Sequence, residues 1–194
     1  MDITYTDKEI RFDKELNTLD NLVIEFTTAL NTLHIKYVII SGYVAILFGR
    51  NRVSEDIDLF MEDVDLPTFR KLWNLLTPRF DCLNTFDAEE AYQEYLKNNN
   101  ALRFAKSKAY IPNIEIKFPK IDLDRLSLEH RKKVILNDHI FYISPLELQI
   151  IFKLSLGSEK DLEDARYLYN LFKEKLDRNA LEQLFTEVLH FIYK

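Results

Sequence analysis

The 194-residue chain is poor in several things at once. A single cysteine, Cys82, allows no internal disulfide and no cysteine-based zinc site, which agrees with a reducing compartment. Three glycines and five prolines leave little room for irregular loops. No apolar run reaches the roughly 18 residues that a membrane span needs. The opening MDITYTDKEIRFDKEL is charged and lacks the apolar core of a secretory signal. Positive charge is not in excess either: 26 Lys and Arg against 32 Asp and Glu give a net charge of −6. No global field therefore draws the chain to nucleic acid or membrane, and a polyanionic partner would need a local basic patch. The expectation is a soluble cytoplasmic protein with no membrane partner.

What is present points to a well-packed fold. Hydrophobic residues make up 47% and charged residues 30%, enough for a real core without disorder. Leu16, Leu19, Leu22, Val23, Phe26 and Leu30 recur at helical spacing between Asp13 and Leu33. KYVIIS then reads as a buried strand, YVAILFG as a short helix and DIDLFME as a second strand. Residues 66–76 and 88–96 have helical character. ALRFAKS and NIEIKF form two further strands, with Ile114, Ile116 and Phe118 on one face and Glu115 and Lys117 on the other. A short basic helix over 126–133 precedes the strand HIFYIS, and Ser144-Pro145 opens a helix in the manner of proline in a first turn. From there the pattern is helical, with breaks near Gly157 and Asp177. The reading is α/β (α+β): a mixed-sheet core over residues 1–144 and a helical part over 145–194 packed on it, or the two as a single domain.

SEDIDLF raises the chemical question. Alternation puts Asp56 and Asp58 on one strand face, Cα atoms about 6.6 Å apart, while Ile57 and Leu59 enter the core. Two neighbouring carboxylates repel unless a cation intervenes, and hard oxygen donors suit Mg²⁺. Taken alone, D-x-D reads first as two solvated acids on a half-exposed strand, since the spacing is common. The context VIISGYVAILFGRNRVSEDIDLF adds a strand, a small-residue turn, a helix and an arginine-bearing loop. Such a turn lets backbone N–H groups approach a phosphate that the carboxylates could meet through a metal.

In that order and spacing the segment resembles the nucleotidyltransferase superfamily with a polymerase-β-like core, and within it the branch of AbiEii-type toxins. Ser41-Gly42 takes the place of the family's Gly-Gly or Gly-Ser turn, and Gly49 ends the helix. Arg52, Ser54, Asp56 and Asp58 then follow as R-x-S-x-D-I-D. ISPLELQIIFKLSLGSEKDLEDARYLYNLF resembles the family's C-terminal run. The resemblance implies a nucleotidyltransferase that uses two Mg²⁺ ions to move a nucleoside monophosphate from an NTP to a hydroxyl on RNA (such as tRNA), protein or a small molecule. It also implies a place in toxin–antitoxin or phage-defence systems. Asp56, Asp58 and a third acid would hold metal and carry catalysis, with Glu115 as the first candidate for that acid and Asp122 as the second. Ser41, Gly42, Arg52, Ser54 and Lys153 would bind nucleotide, and Asp161 and Asp164 would support the site. An inactive relative serving as a binding module beside a cognate protein is the alternative.

Other residues stay open at this level. Lys153, inside an apolar helix, must either snorkel or meet an anion. Asp161 and Asp164 share a helix face near an N-terminus begun by Ser158, which is reason enough for acids there. Arg103, Lys106, Lys108, Arg131, Lys132 and Lys133 would serve an RNA acceptor only if the fold gathers them beside Asp56 and Asp58.

Overall fold

A computed structural model describes residues 2–192. The architecture is mixed α/β, built on a nine-stranded sheet with the order β1-β2-β8-β9-β3-β4-β7-β6-β5 among the described residues. The strands are β1 (Thr4–Tyr5), β2 (Glu9–Phe12), β3 (Tyr37–Ile39), β4 (Asp56–Met61) and β5 (Phe80–Cys82). They continue with β6 (Leu102–Lys106), β7 (Asn113–Lys117), β8 (Lys132–Leu136) and β9 (His139–Ile143). The helices are α1 (Thr18–Thr32), α2 (Gly42–Leu47), α3 (Leu66–Leu76), α4 (Ala88–Glu90), α5 (Asp122–Glu129), α6 (Leu146–Leu156), α7 (Glu159–Phe172) and α8 (Arg178–Ile192). β4 and β7 run parallel at the centre, while β3 with β4 and β6 with β7 run antiparallel.

One face of the central sheet is apolar because Ile57 and Leu59 register with Ile114 and Ile116. α1 and α3 cover it: Phe26 of α1 packs on Phe80 and Phe104, and Trp73 of α3 meets Phe104 edge-on. Buried aromatic pairs of this kind contribute roughly 0.5–1.5 kcal/mol each beyond their area. α1 begins at a capping box in which Asn17 accepts from the Asp20 N–H and Asp20 accepts from the Asn17 N–H. Asp20 is also fully buried, and Lys14 and the Tyr43 hydroxyl both donate to it, which fastens α2 to the start of α1. Leu146, Ile150, Ala165, Leu168 and Phe172 join the same buried cluster as the sheet residues, so α6 and α7 share the core of the α/β part.

Several elements differ from the sequence pattern. The charged N-terminal stretch supplies two strands, since Ile10 and Phe12 alternate inward between Glu9 and Arg11. Neither is longer than four residues, too short for periodicity to register. β5 hides in the same way inside TPRFDCL. The expected basic helix over 126–133 is a helix ending at Glu129 followed by β8, so Lys132 and Lys133 lie on a strand. Residues 88–98 form one α-turn, a π-turn over Ala91–Tyr95 and a 3₁₀ turn over Leu96–Asn98 rather than a uniform helix. Pro145 is the N-cap of α6, one place before the first turn. Among the described residues no helix is long and apolar enough to cross a membrane.

Candidate active site

The site forms where β3 ends beside β4. The Ile40 N–H donates to the Asp58 carbonyl (3.0 Å), which holds the Ser41-Gly42 turn against the acidic strand. Ser41 takes φ 65°, ψ −140°, close to a region that L-residues other than glycine scarcely populate. That is the backbone the glycine of Gly-Gly turns adopts freely. Gln149 of α6, buried in the core, holds Ser41 there: its Nε2 donates to the Ser41 carbonyl (2.7 Å) and its Oε1 accepts from the Ser41 N–H (3.3 Å). Ser41→Gly is expected to release roughly 1 kcal/mol of backbone strain. The midpoint of thermal unfolding should then rise by about 2–4 °C; an unchanged or lower midpoint would contradict the strain.

Gly42 opens α2 under Arg52. A Cβ at this position would lie 2.7 Å from Nη2 of Arg52, so a larger residue here would push the guanidinium off the turn. Arg52 in turn donates from Nη1 to Asp164 of α7 (2.6 Å). Asp164, fully buried, also receives Lys153 of α6 (2.7 Å) and Arg50, whose other arm pairs with Glu163. Lys153 also reaches Asp161 (3.0 Å). Burial acts to raise the Asp161 carboxyl, yet the Ser158 hydroxyl and Lys153 outweigh it and hold it below the usual carboxylate range. Burial is likewise the main reason that the Lys153 ammonium is pushed down.

On β4 the two carboxylates differ. Asp56 is exposed, with the Ser54 hydroxyl 3.5 Å from its Oδ1 and donating more closely to its carbonyl (3.0 Å). Asp58 is partly buried, and its carboxyl is pushed up by desolvation first and by Glu115 and Asp56 next, against Lys117 and a hydrogen bond from Ser41. Glu115 registers directly opposite Asp58 on the parallel strand β7 and is 7% exposed. Burial would raise its carboxyl, but Lys117 and Arg103 together hold it below the ordinary value. Lys117 lies 2.6 Å from Glu115 Oε1 and 3.8 Å from Asp58 Oδ1, while Arg103 Nε lies 2.9 Å from Glu115 Oε2.

The fold thus brings Ser41, Gly42, Arg52, Asp56, Asp58 and Glu115 together. Lys153, Asp161 and Asp164 form a second layer behind Arg52. Lys153 is 1% exposed, so it does not snorkel, and the anions it meets are Asp161 and Asp164. Asp122 projects into solvent at the start of α5, its side chain 99% exposed beside Arg125. The basic residues do not gather. Lys106 pairs with Glu25, Arg131 stacks on Tyr142, Lys132 donates to the Asp7 carbonyl and Lys133 to Glu9. β8 and β6 also lie on opposite sides of β4. Of the six, only Arg103 pairs with a carboxylate of the site. Gln149 and Arg50 carry no signal in the sequence. Lys117 does, two residues after Glu115 on the same strand face.

As metal donors, Asp56 and Asp58 fit Mg²⁺ arriving with phosphate, which takes one or two carboxylates from protein. Among the described residues no group of three His, Cys, Asp or Glu side chains is gathered to hold an ion, and both Glu115 oxygens are engaged by Lys117 and Arg103. Beside Ser41, a cavity of about 50 Å³ opens between Phe60, α5 and α6; Ser127, on its lining, has a hydroxyl with no hydrogen-bond partner.

No family model and no curated protein matches this sequence. Solved structures do match in fold. An antigenic nucleotidyltransferase-like protein from Paracoccidioides brasiliensis aligns with a TM-score of 0.54 at 17% identity, over 88% of this chain and 86% of that one. The antibiotic-resistance factor ANT(2'')-Ia aligns at 0.58 and 11% identity, over 89% and 92%. The lincosamide antibiotic adenylyltransferase LnuA, with lincomycin bound, aligns at 0.50 and 13% identity, over 80% and 98%. The fold is a nucleotidyltransferase fold.

Proposed function

We propose that this protein transfers a nucleoside monophosphate from an NTP to the hydroxyl of a small molecule. The observation that carries the reading is the juxtaposition of Asp56 and Asp58 with the Ser41-Gly42 turn under the Arg52 guanidinium. In the reaction the acceptor oxygen bonds to the α-phosphorus, the bond from that phosphorus to the α,β-bridging oxygen breaks, and pyrophosphate leaves with the electron pair. Asp56 and Asp58 hold the nucleotide's Mg²⁺, whose charge makes the phosphorus a better electrophile. Arg52 and the turn align the triphosphate, and Glu115, ionised at neutral pH, takes the hydroxyl proton. Alignment and fixed charge supply most of the acceleration in such transfers.

A small acceptor is favoured over RNA because the basic residues are dispersed, and Arg103, Lys106 and Lys133 are each engaged by a carboxylate. The antibiotic acceptor of LnuA supports the same direction. Within the superfamily we place the chain nearest the AbiEii-type branch on Arg52, Ser54, Asp56 and Asp58 and on the run from Ser144 to Asp164.

Calorimetric titration with each common NTP, with and without Mg²⁺, tests the reading. Binding that requires Mg²⁺ is expected, and Gly42→Ala should weaken it about tenfold, roughly 1.4 kcal/mol, because the new Cβ displaces Arg52 from the turn. No Mg²⁺-dependent binding at millimolar nucleotide would turn the assignment to a binding module on the same fold.

A further inference from the structure

We propose that Lys117 supplies the second cation of this site, so that the protein works with one divalent ion where a pair would be expected. The proposal rests on the nucleotidyl-transfer reading above and concerns how that site balances its charge. In a two-ion site the second metal lies about 3.5–4 Å from the first, shared between carboxylates and the attacking oxygen. Here the position between Asp58 and Glu115 holds the Lys117 ammonium, 2.6 Å from Glu115 Oε1 and 3.8 Å from Asp58 Oδ1. The other Glu115 oxygen is taken by Arg103 at 2.9 Å.

Mg²⁺ needs oxygen donors at about 2.0–2.1 Å in near-octahedral geometry. On Glu115 it would have to displace the Lys117 ammonium or the Arg103 guanidinium, each of which already neutralises that carboxylate. The backbone also fixes this arrangement. Asp58 and Glu115 are direct partners in the parallel register, Lys117 follows Glu115 on the same strand face, and Arg103 is the cross-strand partner of Glu115 on β6. Three adjacent strands therefore deliver a carboxylate, a carboxylate with its lysine, and an arginine to one patch. Lys117 and Arg103 offset the Glu115 carboxylate, which leaves Asp56 and Asp58 to one ion. Lys117 would thus sit on the acceptor side of the reacting phosphorus, where its charge stabilises the oxygen that attacks.

Native mass spectrometry of the protein with Mn²⁺ and α,β-methylene analogues of the common ribonucleoside triphosphates counts ions directly. The analogues cannot be transferred, so the count does not depend on turnover. One Mn²⁺ per protein–nucleotide complex is expected for the wild type and for Lys117→Arg. Two are expected for Lys117→Met and Lys117→Gln, in which Glu115 is released to bind. Two ions in the wild type, or one in both neutral variants, would overturn the role of Lys117 while leaving the nucleotide site standing. A wild type that forms no nucleotide complex at all would overturn this inference and the function it rests on together. The wild-type count decides even if the neutral variants do not fold.

Discussion

Asp58→Asn is expected to lower nucleotidyl transfer by at least about 10³-fold, since a metal's charge contributes several kcal/mol to such a transition state and about 1.4 kcal/mol is a factor of ten. The same change should leave the fold as stable as before or more so. The Asp58 carboxyl is pushed up by burial and by its acidic neighbours. Its folded pKa therefore exceeds its unfolded one, and the proton it holds stabilises the native state at low pH. That contribution is lost as pH rises through the folded value, so at neutral pH the ionised group is a net cost that asparagine lacks. Label transfer from α-labelled NTPs together with thermal unfolding at pH 7 separates the two effects. Loss of transfer with an unchanged or raised midpoint is the expected pair of results. Transfer at the wild-type rate would remove Asp58 from the chemistry, and a large drop in midpoint would mean that its ionised form is structural instead.

Asp164→Ala should have the opposite profile, with stability lost first. Asp164 is fully buried and receives Arg50, Arg52 and Lys153. Removing one partner of a buried ion pair leaves uncompensated charge in a poor dielectric, at a cost of about 3–5 kcal/mol. Lys153 is the most exposed to this loss, because its side chain is 2% accessible and cannot turn to water. Glu163 and Asp161 keep part of the network, so the protein should still fold in the cold. Urea unfolding checks this: an unfolding free energy within about 0.5 kcal/mol of wild type, the range of an ordinary surface substitution, would mean that the three cations find other partners. Because Asp164 holds Nη1 of Arg52, nucleotide affinity should fall as well, which ties the C-terminal helices to the phosphate end of the site.

These expectations drew on the sequence unequally. SEDIDLF was legible because strand alternation has a period of two, so Asp56 and Asp58 had to share a face once Ile57 and Leu59 were buried. The same rule put Glu115 and Lys117 on one face of β7. Periodicity reached the long helices α1, α3, α6 and α7 but not β1, β2 or β5, whose few residues give it too little to repeat. For Lys132 and Lys133 it failed differently: two adjacent lysines point to opposite faces of a strand as easily as they line a helix, and pairing with β2 and β9 decided between them.

By itself the sequence determined the local geometry of the site: an acidic strand face, a small-residue turn before it and an arginine in the loop between. It could not determine register across strands, because which residue faces Asp58 depends on how β4 and β7 slide before they lock, and packing of Ile57 and Leu59 against Ile114 and Ile116 fixes that. Only the tertiary structure put Glu115 and Lys117 beside Asp58, clamped Ser41 with Gln149 from a helix 108 positions away, and turned Asp164 from a helix-start acid into the anchor of Arg52. Each of these is a contact between groups far apart in the chain. Such contacts exist only once burial has brought the elements together and left each buried charge to find its partner.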